Sequence, residues 1–275
     1  MGLPSRGLSL RKGGGGGAAL KPGEPRPEAL FLLEDPPGSG AWNMAVDRAL
    51  LESEGAWLRF YEWSEATISL GWFQTIEDLP DAPEGVPIVR RLTGGGALLH
   101  DRELTISLAL PEALLPGGGI ETYRPLHDAV GEALRALGIP VETAPRRPTT
   151  RARGGAAWCF ARAAAPDLVL PGSGKIFGSA QRRRRGRILH HGSLFLRAPS
   201  RPAGAAALDL EETGPILSSV AAFLGRFFEL PPRRIPELPT EISARARRFL
   251  EAAAGSAPAP GRDGKARDLS KSRPL

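Results

Sequence analysis

The only cysteine of the chain, Cys159, precedes Lys175 by 16 residues, and this pair could carry out nucleophilic acyl transfer. A positive charge beside a thiol favours the thiolate, which is the nucleophilic form. The thiolate could attack an acyl donor, and an acceptor nucleophile could then attack the acyl-enzyme. Lys175 could accept the proton of that acceptor and stabilise the oxyanion intermediates. The alternative interpretations are a cysteine that packs as a small apolar residue and a lysine on the surface.

Two glycine-containing stretches are predicted to form two walls of one pocket. The first, residues 89–100, reads VRRLTGGGALLH, and the second, residues 174–181, reads GKIFGSAQ and continues to LHHGS at 189–193. Because glycine has no Cβ atom, its backbone can adopt a positive φ or let a ligand lie directly on it. Four apolar residues of these stretches could line a tunnel for a medium-length acyl chain, with packing in the core as the default alternative: Leu98, Leu99, Ile176 and Phe177.

Three histidines lie in or beside these stretches. His100 follows the glycines and could contact an acyl chain or a carrier arm, or support the loop through a hydrogen bond, which is the role that we expect. His190 and His191 are adjacent, so on a strand their side chains face opposite sides and at most one lines the pocket. With one cysteine and four histidines at unsuitable spacings, the sequence predicts no metal site.

The motifs together resemble the catalytic domain shared by lipoate–protein ligases, octanoyltransferases and, more distantly, biotin–protein ligases. The resemblance extends from about residue 30 to about residue 230, and it depends on separate motifs in the family's order: residues 43–47, 59–61, 69–71, 90–101, 175–181 and 191–193. It implies an α+β fold with a mixed, largely antiparallel sheet flanked by helices. It also implies a ligand pocket over the glycine loop, which is the segment that contains Gly94, Gly95 and Gly96.

The resemblance implies roles for individual residues. Octanoyltransferases of the family form an acyl-thioester on a cysteine just before the lysine motif, which implies Cys159 and Lys175 as the catalytic residues. The region after this cysteine, residues 161–166, is alanine-rich where the family has polar residues. The implied substrate-binding residues are Arg90, Arg91, Thr93, Gly94, Gly95, Gly96, His100, Gly178, Ser179, Ala180, His191 and Gly192.

Two enzymatic functions follow from the resemblance. The leading hypothesis is an octanoyltransferase that moves an octanoyl group from acyl carrier protein to a lysine of lipoyl domains, without a cofactor. The acceptors would be lipoyl domains of 2-oxoacid dehydrogenase complexes or the glycine cleavage H protein. The alternative is an ATP-dependent lipoate–protein ligase that works through a lipoyl-adenylate and needs ATP and magnesium. In such a ligase, Arg90, the glycine loop and Lys175 would hold the adenylate.

Composition and charge limit the other classes of function. The 275-residue chain has a net charge of +6 and a pI of about 10.1, a balance that suggests acidic partners. Its arginines cluster within residues 146–153 and 182–187. A basic nucleic-acid-binding protein is the alternative from another class, but no recognisable motif supports it. Without a signal peptide or an apolar run of ~20 residues, we expect a cytoplasmic protein with no membrane partner.

Strands and helices must position these candidate residues, and hydrophobic patterns predict where they lie. Strand-like runs occur at 28–33, 56–61, 67–70, 87–91, 104–110, 156–160, 167–170 and 187–196. Helical patterns occur at 39–55, 121–137, 211–228 and 240–254, and Gly138 is the expected stop of the second helix. We predict that strand 56–61 pairs with 67–70 and strand 87–91 with 104–110. Asn43 and Asp47 are four residues apart and could share a helix face, with ordinary solvation as the alternative.

The predicted organisation has four parts. A disordered N-terminal segment (1–28) precedes a catalytic domain (29–230). A C-terminal helical extension (231–254) and a disordered tail (255–275) follow. Glycine, proline and charged residues dominate both ends of the chain, and such segments cannot bury enough apolar surface to fold.

Overall fold

The computed structural model describes residues 26–79, 81–145, 158–197 and 205–255. Several predictions fall outside these ranges. They are the disorder of residues 1–25 and 256–275, most of the loop predicted at 144–155, and the first arginine cluster.

The described ranges form eleven strands and four α-helices. The strands are β1 (Leu30–Glu34), β2 (Ala56–Tyr61), β3 (Thr67–Leu70), β4 (Ile88–Arg90), β5 (Leu98–His100), β6 (Glu103–Pro111), β7 (Glu142–Thr143), β8 (Leu168–Leu170), β9 (Gly174–Arg184), β10 (Arg187–Phe195) and β11 (Pro232–Ile235). The helices are α1 (Gly40–Leu51), α2 (Arg124–Ala136), α3 (Gly214–Phe228) and α4 (Thr240–Gly255). The four predicted helices are therefore confirmed, with ends that shift by a few residues.

The strands form two sheets. The large sheet has the order β11-β1-β2-β6-β10-β9-β8-β7, and the small one has the order β4-β3-β5. In the large sheet, β1 runs parallel to β2 and to β11, while the remaining neighbours are antiparallel. The predicted α+β class with a mixed, largely antiparallel sheet is confirmed.

Helices cover both faces of the large sheet. Leu108 and Leu110 of β6 belong to an apolar cluster that α2 and α3 complete. Ala109, which points to the other face, belongs to a cluster with residues of α1 and α4. The segment that follows α3 packs against the rest of the fold. Strand β11 extends the large sheet beside β1, and α4 buries Ile242 and Ala246 against α1.

The predicted strand pairings are wrong. Strand β2 lies between β1 and β6, whereas β3 belongs to the small sheet with β4 and β5. Every residue of β2 and β6 is buried, and polar and apolar residues alternate along most of β6 (ELTISLALP). Such alternation distinguishes the two faces of a strand, but it does not indicate which strand is the partner. Proximity in sequence then favours a neighbour-to-neighbour hairpin that the fold does not use.

Two other local predictions differ from the structure. The strand expected around Cys159 is a single 3-10 turn, Cys159–Ala161, preceded by an isolated bridge between Trp158 and Ala97. Strand β11 was not predicted, because its four residues are a proline, two arginines and one isoleucine. The predicted helix stop is confirmed, since Gly138 follows α2 with a φ of 78°.

Candidate active site

A pocket lies where α1, the glycine loop and strands β9 and β10 converge. It contains about 460 Å³ of non-atom space, part of which is open to solvent. Its walls combine apolar side chains with a few convergent polar groups. The lining residues are Met44, Tyr61, Trp63, Arg91, Gly94, Gly95, Leu98, His100, Thr105, Cys159, Phe160, Gly178, Ser179, Ala180, His191, Gly192 and Ser193.

The predicted catalytic pair meets at one wall of this pocket. The Nζ atom of Lys175 lies 3.7 Å from Sγ of Cys159 and 3.4 Å from the carbonyl oxygen of the same residue. Cys159 is half-buried and lines the pocket, whereas Lys175 is only 4% exposed and lies just behind it. The lysine also stands over the ring of Phe160, with Nζ 4.6 Å from the ring centroid. A buried cation therefore contacts the thiol of the pocket.

Asp167 is the ionic partner of Lys175, and the sequence analysis did not single it out. Its Oδ2 atom lies 3.0 Å from Nζ and accepts a hydrogen bond from the backbone N–H of Ala164. Burial raises the pKa of the Asp167 carboxyl above its ordinary value, while the charge of Lys175 opposes this rise. The alanine-rich segment after Cys159 thus forms the turn that holds this carboxylate.

The position of Lys175 depends on an irregularity in β9 and on a nearby glycine. The register between β8 and β9 shifts at Leu168/Val169, and a bulge of this kind can re-aim a side chain. The lysine then lies against Gly178, where a Cβ atom would come within 2.2 Å of its Cε and 2.4 Å of its Nζ. Only glycine at position 178 leaves room for this path of the lysine.

The glycine loop has a close-packed backbone. Gly95 has a φ of 97°, which favours glycine. Gly71, on the turn after β3, approaches so closely that a Cβ atom there would lie 2.0 Å from the carbonyl oxygen of Gly95. The backbone N–H of Trp72 donates to the carbonyl of Thr93 over 2.9 Å. The two segments are therefore fixed to each other at the edge of the pocket.

Two consecutive arginines hold the glycine loop and the turn beside it. Arg91 is buried, and its guanidinium donates to the carbonyl oxygens of Gly94 at 3.1 Å and Gly96 at 2.9 Å. Arg90 instead donates to the carbonyls of three residues in the turn after β3: Gly71, Trp72 and Gln74. Of the two, only Arg91 lines the pocket.

His100 is held between a hydroxyl and a carboxylate. Its Nε2 lies 2.7 Å from Ser69 Oγ, its Nδ1 lies 2.6 Å from Glu103 Oε1, and its ring stacks on Trp63 with centroids 3.7 Å apart. Burial lowers the pKa of His100, so the imidazole is neutral near pH 7. Because a carboxylate only accepts, Nδ1 carries the proton and Nε2 accepts from Ser69. The contacts are those of a supporting residue that also lines the pocket.

A second buried chain connects α1 to the glycine loop through His191. The Nδ1 atom of His191 lies 2.9 Å from Asp47 Oδ2, and its Nε2 lies 2.7 Å from Thr93 Oγ1. Asp47 also accepts hydrogen bonds from Arg59 at 3.1 Å and from the hydroxyl of Tyr61 at 3.1 Å. Burial alone would raise the pKa of Asp47, but the His191 hydrogen bond and the Arg59 charge lower it below its ordinary value.

Asp47 and Arg59 lie in motifs of the family resemblance, and Asp47 was predicted to share a helix face with Asn43, but neither residue was predicted as part of the site. Asn43 and Asp47 are both buried, and each contacts the guanidinium of Arg59. The alternative interpretation, in which water solvates these two helix residues, is therefore wrong. Their four-residue spacing was a usable signal, but a helix pattern does not reveal which strand its polar pair faces.

Ser179 connects the pocket wall to a pair of buried histidines. Its Oγ lies 2.6 Å from Nε2 of His127 and 2.7 Å from Nε2 of His190. Burial lowers the pKa of His127 to about 3. Burial, followed by the charges of His127 and His191, lowers the pKa of His190 well below its ordinary value. Both imidazoles are neutral near pH 7, and the adjacent pair His190 and His191 faces opposite sides of β10, as predicted.

The structure brings most of the predicted substrate-binding residues to the pocket. Those that line it are Arg91, Gly94, Gly95, His100, Gly178, Ser179, Ala180, His191 and Gly192. Arg90, Thr93 and Gly96 lie behind this lining, in the hydrogen bonds described above. Of the four apolar tunnel candidates, Leu98 lines the pocket, while the other three are core residues.

Metal-binding clusters and membrane-spanning helices are both absent from the described ranges. No cluster of three or more histidine, cysteine, aspartate or glutamate side chains is arranged there to hold a metal ion. No described helix combines the length and the apolar character that crossing a membrane requires.

Comparisons with known proteins agree on one family. The family described as lipoyl protein ligase A/B catalytic domain matches residues 39–212. The octanoyltransferase LipM of Moorella thermoacetica is 44% identical over 180 residues, which are 62% of this chain and 66% of the relative. The LipM of an Exiguobacterium species is 43% identical over 181 residues, 60% and 65% of the two chains. The matches thus span just under two thirds of these relatives' length.

Solved structures show the same fold at low sequence identity. A lipoate-protein ligase A bound with ATP has a TM-score of 0.64 at 20% identity, covering 82% of this chain and 94% of the other. A bipartite lipoate protein ligase of Thermoplasma acidophilum, studied with its E2 lipoyl domain, has a TM-score of 0.60 at 20% identity, covering 82% and 93%. These similarities confirm the predicted fold.

Proposed function

This chain belongs to the lipoyl protein ligase A/B catalytic domain family, and we propose that within this family it is an octanoyltransferase. In this proposal it transfers an octanoyl group from acyl carrier protein to a lysine of a lipoyl domain, through a thioester on Cys159. The LipM relatives carry the name octanoyltransferase and are more than 40% identical over the aligned region, which supports this assignment over the ligase.

The observation that carries the proposal is the distance of 3.7 Å between the thiol of Cys159 and the amine of Lys175 at the wall of the pocket. A cation at this distance stabilises the thiolate, the form that attacks a thioester. A pocket with apolar side chains such as Leu98 and Phe160 on one side and glycine backbone on the other suits an acyl chain.

In the first half-reaction, the sulfur of Cys159 attacks the carbonyl carbon of the octanoyl thioester. The bond from this carbon to the carrier sulfur breaks, and the carrier leaves as a thiol after it takes up the proton that Cys159 lost. The tetrahedral intermediate carries an oxyanion, which needs hydrogen-bond donors. Lys175 and the backbone N–H groups of Gly94 and Gly95 are the candidate donors around the thiol.

In the second half-reaction, the neutral amine of the acceptor lysine attacks the same carbon. The bond to Sγ of Cys159 breaks, an amide forms, and the proton that the amine loses returns to the thiolate. Lys175 lies within reach of the sulfur and can pass this proton. Asp167 keeps the amine of Lys175 in place throughout, and no cofactor enters either step.

The test is the intact mass of the protein after it is mixed with octanoyl-acyl carrier protein in the absence of ATP. We expect a hydroxylamine-labile octanoyl adduct on the wild type and none on Cys159→Ala. Addition of a lipoyl domain should then discharge the wild-type adduct and produce an octanoylated lysine. Circular dichroism of both proteins checks that the substitution leaves the fold intact.

The ligase alternative predicts a different result in the same assay. A ligase would form no adduct from octanoyl-acyl carrier protein, and it would lipoylate the acceptor domain only with free lipoate, ATP and magnesium. Under those conditions Cys159→Ala would retain its activity. That pattern would contradict the octanoyltransferase assignment.

A further inference from the structure

A phenylalanine is displayed to solvent at the edge of the pocket. Phe73 is 84% exposed, more than any other large apolar side chain in the part of the chain that the structure describes. It lies on the turn after β3, next to Trp72, whose backbone bonds to the glycine loop. A single exposed apolar residue is ordinary on a protein surface, so its surroundings decide whether it has a role.

The turn that carries Phe73 is held rigidly. The guanidinium of Arg90 donates to three backbone carbonyls on both sides of this residue, those of Gly71, Trp72 and Gln74. Gly71 packs directly on the backbone of Gly95. An exposed aromatic ring on a rigid support binds a partner at a low cost in conformational entropy. The turn therefore presents Phe73 in a fixed position relative to the pocket.

An arginine stacked on an aromatic ring lies beside this turn. The guanidinium of Arg182 lies over the ring of Trp72, 4.7 Å from its centroid. Its strand neighbours Arg183 and Arg184 pair with Glu112 and Glu52, whereas Arg182 makes no ion pair within the described ranges. Stacking on an aromatic face leaves the N–H groups at the edge of a guanidinium available for an anion.

Arg182 also continues the pocket wall. It follows Ala180, which lines the pocket, by two residues on strand β9. Residues two apart on a strand share a face, and the step between them is about 7 Å. Phe73, Trp72 and Arg182 thus form one patch, an aromatic and cationic rim, at the edge of the pocket.

We propose that this rim is the docking surface for the acyl donor, an acidic carrier protein that delivers its octanoyl group on a phosphopantetheine arm. The inference rests on the proposed function. Phe73 would contact an apolar position on the carrier, and Arg182 would bind the phosphodiester of the arm as the thioester enters the pocket toward Cys159. Aromatic residues and arginine are the side chains that most often dominate binding at interfaces.

The positive charge of this rim favours the acyl donor over the acceptor domain as its binding partner. The arm of the donor carries a phosphodiester anion near its attachment point, which a guanidinium binds well. The acceptor instead presents the amine of a lysine, a group that a neighbouring arginine repels when it is protonated. The positive net charge of the chain, +6, adds attraction for an acidic carrier at long range.

The test compares three acyl donors that differ in what they can contact. They are octanoyl-acyl carrier protein, octanoyl-phosphopantetheine and S-octanoyl-N-acetylcysteamine, which lacks both carrier and phosphate. For each we would measure kcat/KM of Cys159 acylation by intact mass. Phe73→Ala should lower the value at least ~10-fold for the carrier alone. Arg182→Ala should lower it for the two phosphate-containing donors, and the small thioester should remain within about 2-fold for both variants.

A matched pair of substitutions controls for general effects. Phe227 and Arg226 are an exposed phenylalanine and arginine on α3, which belongs to the apolar cluster on the other face of the sheet. Phe227→Ala and Arg226→Ala should leave all three values unchanged. The proposal is overturned if the rim variants acylate equally well from all donors, or if they slow only the later transfer to a lipoyl domain. A wild type that no donor acylates would contradict the proposed function itself.

Discussion

Three side chains contact one another in a row at the candidate nucleophile. The thiol of Cys159 contacts the amine of Lys175, and the carboxylate of Asp167 lies on the other side of that amine at 3.0 Å. A buried ammonium group needs such a partner, because leaving it unpaired is costly. The carboxylate thus holds a cation against the sulfur. This arrangement fixes the amine of Lys175 beside the sulfur, unlike a lysine that reaches in from solvent.

The residue-scale prediction concerns Gly178. A Cβ atom at this position would lie 2.2 Å from Cε and 2.4 Å from Nζ of Lys175, so Gly178→Ala must displace the lysine. A small misplacement of a catalytic group can cost about 100-fold in rate. We expect Cys159 acylation to slow by about this factor, measured as the single-turnover rate with octanoyl-acyl carrier protein, while the melting temperature falls by only a few degrees.

Gly118→Ala is the control for this substitution. Gly118 has no heavy atom within 4 Å of a Cβ position, and its φ of −157° suits any residue. It should keep the wild-type rate. Acylation by Gly178→Ala at the wild-type rate would show that the observed path of Lys175 is not needed for the reaction.

Residue types and motif order predicted that Cys159 and Lys175 lie close together, because a lone cysteine before a glycine-flanked lysine is an uncommon combination. The same reasoning could not find Asp167. In the chain it is an ordinary aspartate at the start of a short strand, eight residues before Lys175. Its role depends on the β8–β9 turn and the bulge, and neither of these follows from local propensity.

At the scale of elements, α1 is fixed to the sheet by buried polar contacts as well as by apolar packing. Asn43 and Asp47 project from the helix toward Arg59 of β2, and Asp47 also reaches His191 of β10. Arg59 receives a further carboxylate, Asp35, at 2.7 Å. Because Asn43, Asp47 and Arg59 are buried and paired, removing one charge leaves its partner without compensation.

The prediction at this scale is that Asp47→Asn destabilises the protein by about 3 kcal/mol in the free energy of unfolding. The amide can replace some of the hydrogen bonds but not the charge that faces Arg59. The loss should appear as a lower midpoint in urea at pH 7.5. Because His191 loses its anionic partner, the pocket wall is affected as well, and the acylation rate should fall.

Asp81→Asn provides the matched comparison, since Asp81 is exposed. Surface substitutions of this kind usually change stability by less than about 0.5 kcal/mol. If Asp47→Asn behaved like Asp81→Asn, the buried cluster would contribute nothing measurable to the attachment of α1.

Elements were predicted better than their partners. The four helices were found because their apolar residues recur at helical spacing, and Gly138 indicated the end of α2. Pairing failed for β2 and β3, since the hydrophobic pattern of a strand distinguishes its two faces and does not specify which neighbour it takes. The pocket could be predicted only as two walls, because residues of the third side, such as Met44 and Trp63, come from elements whose packing was not determined by the sequence motifs.

Taken as a whole, the molecule buries four imidazoles inside one fold. All four described histidines are less than 7% exposed: His100, His127, His190 and His191. For three of these, His100, His127 and His190, the pKa lies below its ordinary value because of burial. A fold that keeps such groups neutral has a stability that depends on pH, since the unfolded chain releases them to water.

The whole-molecule prediction follows from His127, whose pKa is about 3 in the folded state and about 6.5 in the unfolded chain. Above pH 6.5 both states hold a neutral imidazole, and the stabilisation is fully present. Below pH 6.5 the unfolded state takes up a proton that the folded state excludes, so stability falls by up to about 1.4 kcal/mol per pH unit until the folded pKa is reached. Asp167 acts in the opposite direction, because its raised pKa means that the folded state binds a proton more readily.

Comparing two proteins isolates the contribution of His127. Between pH 7.5 and pH 5.0, the wild type should lose about 2 kcal/mol more in the free energy of unfolding than His127→Gln, measured by urea denaturation at each pH. A direct NMR titration of the His127 ring in the wild type provides a second measurement that does not require the variant to fold. The ring should remain neutral down to pH 4. Parallel stability curves, or a ring that titrates near pH 6.5, would mean that His127 exchanges protons with solvent and does not lie in the buried contact with Ser179.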